Sequence, residues 1–363
     1  MSDEKLTWTR TLDVTLAELI EIACLMEATA RKPGNVHPAA EFDDLTYADF
    51  VCAAKAISEP IAVLGTMGDE KRVGDDDDIE QKAASRGLTE SAAAFNADED
   101  TPHSGPLPAE PVRGGSGSIV GLGDAIYQAV KATREATGTN VNLGIVLLLA
   151  PLAAVPRQIP LQPGIATILQ GTTPEDAESV YAAIRLAFPG GMGNVSSQDI
   201  RERPTVNLVD AMRLAVDRDR IAEQYCTDFH LVFEARQKLS VLLDQTGDWE
   251  AAVIALQVWM MSVWPDTLIA RKCGWEIARE SAARAAALLP VEPDQPLLNP
   301  AQLAEFDRWL RADGHRRNPG TTADLVAATL FAALRDGLIP IPSRSAICDR
   351  AKSILAESNE TTI

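Results

Sequence analysis

Apolar residues recur at helical spacing along most of the chain. Leu16, Leu19, Ile20 and Ala23 share one stripe, with Glu27 on or beside it. Thr15-Leu16-Ala17-Glu18 is a capping box that opens this helix, and Pro33-Gly34 stops it. Thr46-Tyr47-Ala48-Asp49 opens a second helix through Phe50, Val51, Ala54 and Ile57. Thr173-Pro174-Glu175-Asp176 supplies a cap, a first-turn proline and two first-turn acids to a helix ending near Phe188. Further helices fit about 119–136, 141–154, 206–226, 229–245, 248–263, 266–288, 300–312, 321–336 and 344–357. The run Ile145 to Ala150 is apolar on every side, so its helix belongs at the centre. No run alternates with strand period, no Asn-Gly hairpin signal occurs, and no fixed-period repeat is visible. The pattern predicts an all-α fold: one multi-helix orthogonal bundle of roughly ten or more helices. It forms one domain over 1–363 with its core at about 12–357.

Composition changes this picture in one place. The chain carries 52 acidic against 33 basic side chains, a net charge of −19. Between Thr66 and Val112 the ratio is twelve acids to four bases, including Asp75-Asp76-Asp77-Asp78 and Asp98-Glu99-Asp100. Four prolines (102, 106, 108 and 111) and Gly114-Gly115-Ser116-Gly117-Ser118 accompany them. Residues 66–118 therefore read as an acidic, Pro/Gly-rich, disordered insertion between two helices. The acid excess excludes a nucleic-acid polymer and an anionic membrane surface as partners. The five cysteines are widely spaced and form no CxxC pair, so no zinc or thioredoxin-like site is indicated. The most apolar run, Leu143 to Val155, is too short to span a bilayer, and MSDEKLTWTR is no signal peptide. A cytoplasmic, reducing location is the expectation, and homo-oligomer formation is left open.

Four polar clusters interrupt the apolar helices. Glu27 to His37 brings a carboxylate, Arg31, Lys32 and the Pro33-Gly34 turn together, followed by Asp43 and Asp44. The two cations suit either a helix C-terminus or a phosphate. Thr137-Gly138-Thr139-Asn140-Val141-Asn142-Leu143-Gly144 closes one helix and opens the central one, with free N–H groups suited to an anion. Asn140 and Asn142 there could equally be caps. In Trp264-Pro265-Asp266-Thr267-Leu268-Ile269-Ala270-Arg271-Lys272, Asp266 can cap a helix. His315-Arg316-Arg317-Asn318-Pro319-Gly320-Thr321-Thr322-Ala323-Asp324 joins arginines, a helix start and an acid, a kit for polyphosphate and Mg²⁺. Walker A and GxGxxG sequences are absent.

In this order the clusters resemble the triphosphoribosyl-dephospho-CoA synthase family. Its PKPGLVD-like turn corresponds to Arg31-Lys32-Pro33-Gly34-Asn35-Val36, and its His-x-Asp-Met element to the stretch around Asp43-Asp44-Leu45. The GVNTHKG motif corresponds to Gly138–Gly144, DTN-x-x-x-R to Asp266–Arg271, and SPGGSADLLA to Asn318–Ala327. The resemblance runs from about Leu16 to Leu334. It implies an all-α enzyme that moves the triphosphoribosyl group of ATP to the 2′-hydroxyl of 3′-dephospho-CoA and releases adenine. ATP as substrate, Mg²⁺ and a dephospho-CoA-like acceptor are the small molecules implied. It places Lys32, Gly34, Asn140, Asn142, Arg271, Arg316, Gly320 and Thr321 on nucleotide and phosphate. It offers Glu27, Asp44 and Asp266 for catalysis, and Asp44, Asp266 and Asp324 for the metal. The family's His-Lys is replaced here by Asn142-Leu143, and the His of its His-x-Asp element by Phe42. The family's charged Arg-Gly-Glu-Ala element corresponds to Met192-Gly193-Asn194-Val195, which has lost the charges, beside Pro189-Gly190-Gly191. These departures mark a divergent branch. Its alternatives are a related enzyme of tetrahydromethanopterin-type one-carbon coenzyme biosynthesis and a non-catalytic nucleotide-binding protein.

Overall fold

A computed structural model describes residues 14–66, 121–187, 203–290 and 297–361. The acidic insertion expected at 66–118 lies outside the described residues except for Thr66, as do Met192 to Val195 and Pro189 to Gly191. The described residues form α-helices throughout, with one four-residue extended segment, Ala312–His315.

Three helices make the centre: α1 (Leu16–Thr29), α4 (Leu143–Ala154) and α14 (Gly320–Arg335). Every residue of α14 from Leu325 to Arg335 is buried, and so is α4 from Ile145 to Ala153. Their apolar composition on all faces leaves no side suited to water, which forces them inward. Around them pack α2 (Tyr47–Ala62), α3 (Leu122–Thr137), α5 (Leu161–Gln170) and α6 (Pro174–Ala187) on one side. On the other lie α7 (Leu208–Arg213), α8 (Arg220–Cys226), α9 (His230–Thr246) and α10 (Trp249–Val263). A smaller apolar cluster of Val258, Met261, Ile269, Ala278, Phe306 and Leu310 joins α10 to α11 (Thr267–Cys273), α12 (Trp275–Ala286) and α13 (Pro300–Arg311). Helix α15 (Arg344–Thr361) closes against α1.

The predicted caps form. Glu18 N donates to Thr15 Oγ1 at 3.2 Å while Thr15 N donates to Glu18 Oε2 at 2.7 Å. Thr46 and Asp49 make the same reciprocal pair, and Asp176 N donates to Thr173 Oγ1 at 3.2 Å. Two expected helices are each broken in two. The 206–226 stretch divides because Asp219 caps a new start, accepting from Ile221 N at 2.8 Å. The 266–288 stretch divides at Gly274, whose φ of 90° cannot continue a helix. Helix α5 was not expected, since Pro160 ahead of it reads as a breaker and here serves as its N-cap. No single helix among the described residues is long and apolar enough to cross a membrane.

The turn after α1 is tied across the fold. Gly34 N donates to Asp307 Oδ1 at 2.7 Å, and Asn35 Nδ2 to Asn318 Oδ1 at 2.7 Å. Gln257 Nε2 reaches Pro33 O and Asn35 Oδ1 at 3.1 and 2.7 Å. Gly34 has φ 77°, and a Cβ there would lie 2.8 Å from Leu310 Cδ1 and 2.9 Å from Pro319 Cδ. Gly34→Ala is therefore expected to destabilise the protein by about 1–3 kcal/mol, read as a lower midpoint in urea unfolding. An unchanged midpoint would show that this turn does not hold α13 and α14 in place.

Candidate functional site

The ends of several helices meet around one cleft with a cavity volume of about 300 Å³. Glu27 reaches it from the end of α1, Asn142 and Gly144 from the start of α4, and Gly320, Thr321 and Asp324 from the start of α14. Arg271 and Lys272 enter from α11, and Asp219 from the start of α8. The N-termini of α4 and α14 lie at the cleft, and their positive dipole ends make a setting suited to anions. Val36, Leu45, Phe50, Leu143, Ile184 and Ile221 supply an apolar wall.

Asp324 lies against the first turn of α4. A Cβ on Gly144 would fall 2.1 Å from Asp324 Oδ2, so only glycine lets the carboxylate approach that backbone. Asp324 makes no hydrogen bond among the described residues. Burial holds its carboxyl well above the usual range, the charges of Glu27, Asp266 and Asp219 push it the same way, and Arg271 opposes them. The guanidinium of Arg271 is exposed on the cleft wall and has no hydrogen bond or ion pair among the described residues. Lys272, beside it, is half-buried, and burial with the Arg271 charge lowers its pKa.

Asp266 organises the site from behind. It is 3% exposed. Oδ1 accepts from Leu268 N and Ile269 N at 2.8 and 2.9 Å, capping α11. Oδ2 accepts from Thr322 N and Thr322 Oγ1, both at 2.8 Å, fixing the start of α14. Four donors occupy the carboxylate, so it has no open position for a metal or a proton in transit. Burial raises its pKa against the opposing pull of those donors.

Of the residues expected at the site, the structure brings Glu27, Asn140, Asn142, Arg271, Gly320, Thr321 and Asp324 together on the cleft wall. It places five others elsewhere. Lys32, expected on phosphate, is fully buried. Its ammonium pairs with Glu27 Oε1 at 3.0 Å and donates to the carbonyl of Glu27 at the end of α1. Gly34 serves the turn, and Asp266 serves the two helix starts. Asp44 is exposed and pairs with His315 Nδ1 at 3.2 Å. Arg316 is exposed, beside Asp313 at 3.4 Å, and donates to Lys272 O at 3.0 Å. Asn140 and Asn142 divide their roles. Asn140 Oδ1 accepts from Leu143 N at 3.2 Å, while Asn142 Oδ1 accepts from Thr133 Oγ1 at 3.0 Å. The Nδ2 of Asn142 is buried without a partner, a donor left for a ligand. Asp219, Lys272 and Asn318 line the cleft without having been among the expected site residues. The last two stood inside recognised clusters. Asp219 carried only the faint signal of an acid just ahead of Ile221 and Tyr225.

Comparison with known proteins places the chain in a family. The CitG family, ATP:dephospho-CoA triphosphoribosyl transferase, matches residues 13–341. The chain belongs to the CitG family. A crystal structure from Archaeoglobus fulgidus, named as a candidate triphosphoribosyl-dephospho-CoA synthase, shares 26% identity with it. That match covers 60% of this chain and 90% of the other, with a TM-score of 0.48. No curated protein matches. As a CitG-family member the chain is a transferase, and the five motif regions read from its sequence fall within the matched span.

The raised carboxyl at Asp324 has a stability consequence. Its pKa is higher folded than unfolded, so stability falls as pH rises from the unfolded to the folded value, and the loss is complete above the folded value. Asp324→Asn is expected to raise the unfolding temperature at neutral pH. The gain should shrink as pH falls and the wild-type carboxyl becomes protonated. Thermal unfolding from acid to neutral pH checks this, and a variant less stable at neutral pH would contradict it.

Proposed function

We propose that the cleft transfers the triphosphoribosyl group of ATP to the 2′-hydroxyl of 3′-dephospho-CoA or a closely related acceptor. The bond from ribose C1′ to adenine N9 breaks, and a bond from C1′ to the acceptor oxygen forms. The hydroxyl proton leaves through a carboxylate, and adenine departs carrying a proton on its ring. One observation carries the reading: Arg271, which has no hydrogen bond or ion pair among the described residues, shares a cleft with the carboxylate of Asp324, which has no hydrogen bond among them either.

Arg271 and Lys272 with the start of α14 at Gly320 and Thr321 form the triphosphate end. Asp324 is the proton acceptor, because a carboxylate with a raised pKa is a stronger base than an ordinary one. Glu27 and Asp324 place negative charge beside the ribose, where positive charge develops as the glycosidic bond breaks. Asn142 Nδ2 is the fixed donor for an acceptor atom of the bound substrate. No group of three or more metal-ligating side chains occurs among the described residues, so magnesium would come with the triphosphate and meet Asp219, which keeps one carboxylate oxygen unbonded among the described residues. Such an ion is held by one or two carboxylates plus substrate phosphates, whose charge it would neutralise.

Purified protein given ATP, Mg²⁺ and dephospho-CoA is expected to release adenine, measured by chromatography. No adenine with any alcohol acceptor tested would sink the reading. Asp324→Asn should lower kcat by at least about 100-fold, the usual scale for a lost general base. The wild-type acid limb of kcat/KM should lie above the ordinary carboxylate range. Arg271→Ala should raise KM for ATP about 10- to 100-fold, as for loss of a charge-assisted phosphate contact.

A further inference from the structure

The far ends of α4 and α14 frame a second cavity, of about 370 Å³, unconnected with the residues of the cleft. Helix α14 has 16 residues, so this cavity sits about 24 Å along the helix from the start that serves the cleft. Arg157, Arg236 and Arg335 line it, with Gln158, Asp336 and Leu338. Three guanidinium-bearing residues thus share the lining with one carboxylate-bearing residue.

The carboxylate is already used up. Asp336 Oδ1 accepts from Arg335 Nη1 at 2.8 Å, and Oδ2 accepts from Arg236 Nη1 at 2.5 Å and Leu161 N at 3.2 Å. Arg335 is spent on structure, donating to the carbonyls of Val155, Pro156 and Ile159 at 2.9, 2.7 and 2.7 Å, where α4 ends. Arg157 donates to Val14 O at 2.7 Å. Arg236 differs. It is 8% exposed and stacks over the Phe233 ring at 5.1 Å, and among the described residues its Nη1 alone is hydrogen-bonded while its buried Nε has no partner. A buried guanidinium with unused donors carries a desolvation cost that an anion would offset. Burial and the neighbouring Arg335 charge also lower the pKa of Arg157, a like-charge repulsion inside the same cavity.

We infer that this cavity binds a phosphate dianion, free or as a simple monoester, through Arg236 and Arg157. The site is separate from the triphosphate end of the cleft and does not depend on the transfer reaction. Its ligand shares α4 and α14 with the cleft, one site at each end of both helices.

The test uses the full chain with Arg271→Ala, which removes the cleft's own phosphate contact. Titration calorimetry with inorganic phosphate, and separately with glycerol 2-phosphate, is run at ionic strength held constant with sodium chloride. Saturable binding of phosphate is expected in this background. Adding Arg157→Gln, or Leu338→Glu at the exposed cavity rim, should weaken it by at least about 10-fold, the scale of one charge-assisted contact. Arg236→Gln should do the same. If that variant does not fold, the other two decide the matter. Binding of the monoester alone would make the natural ligand an ester and still support the site. Loss of binding of both inorganic phosphate and the monoester with Arg271→Ala alone would overturn the inference, and so would unchanged affinity in Arg157→Gln and Leu338→Glu.

Discussion

One buried carboxylate holds the site together. Asp266 receives two backbone donors from the start of α11 and a backbone and a hydroxyl donor from Thr322 at the start of α14. Neither helix start could otherwise be buried, because each leaves N–H groups without helical partners. The pairing sets α11 against α14, and so sets Arg271 and Lys272 opposite Gly320, Thr321 and Asp324. Burial makes this carboxylate costly to ionise, and four donors are what keep it tolerable.

The same logic divides the acids into two kinds. Those with full hydrogen bonding, such as Asp266 and Asp336, are girders. Asp324 is kept short of donors, packed against Gly144 and surrounded by Glu27, Asp219 and Asp266. A carboxylate left without partners among like charges gives up stability and gains basicity, a common trade at reactive sites. Lysine and arginine divide likewise. Lys32 neutralises Glu27 and the end of α1, whereas Arg271 has no hydrogen bond or ion pair among the described residues.

Helix starts at Thr15, Thr46 and Thr173 were legible because a cap is a local exchange between residues three apart. The central place of α4 was legible because a helix apolar on all sides has no solvent face. Five motif regions were legible as clusters, and seven of the expected site residues do share the cleft. Less visible were the breaks at Asp219 and Gly274. One depends on a cap that competes with a continuing helix, and the other on a backbone angle that glycine permits and does not require.

The chain's order of residues determined by itself that the protein is helical, where most helices begin, and which polar clusters interrupt them. These are properties of neighbours along the chain, decided by propensity, periodicity and capping. Only the tertiary structure decided which charges meet substrate. Lys32 follows the end of α1 and Arg271 lies in the last turn of α11, and both neighbour another cation in sequence. One lies within reach of a carboxylate and open carbonyls, and the other does not. Asp266 and Asp324 differ in the same way, by the donors that distant helices bring or withhold. A side chain's charge is written in its identity. Its availability depends on partners contributed by other parts of the chain, and those are assigned only when the helices pack.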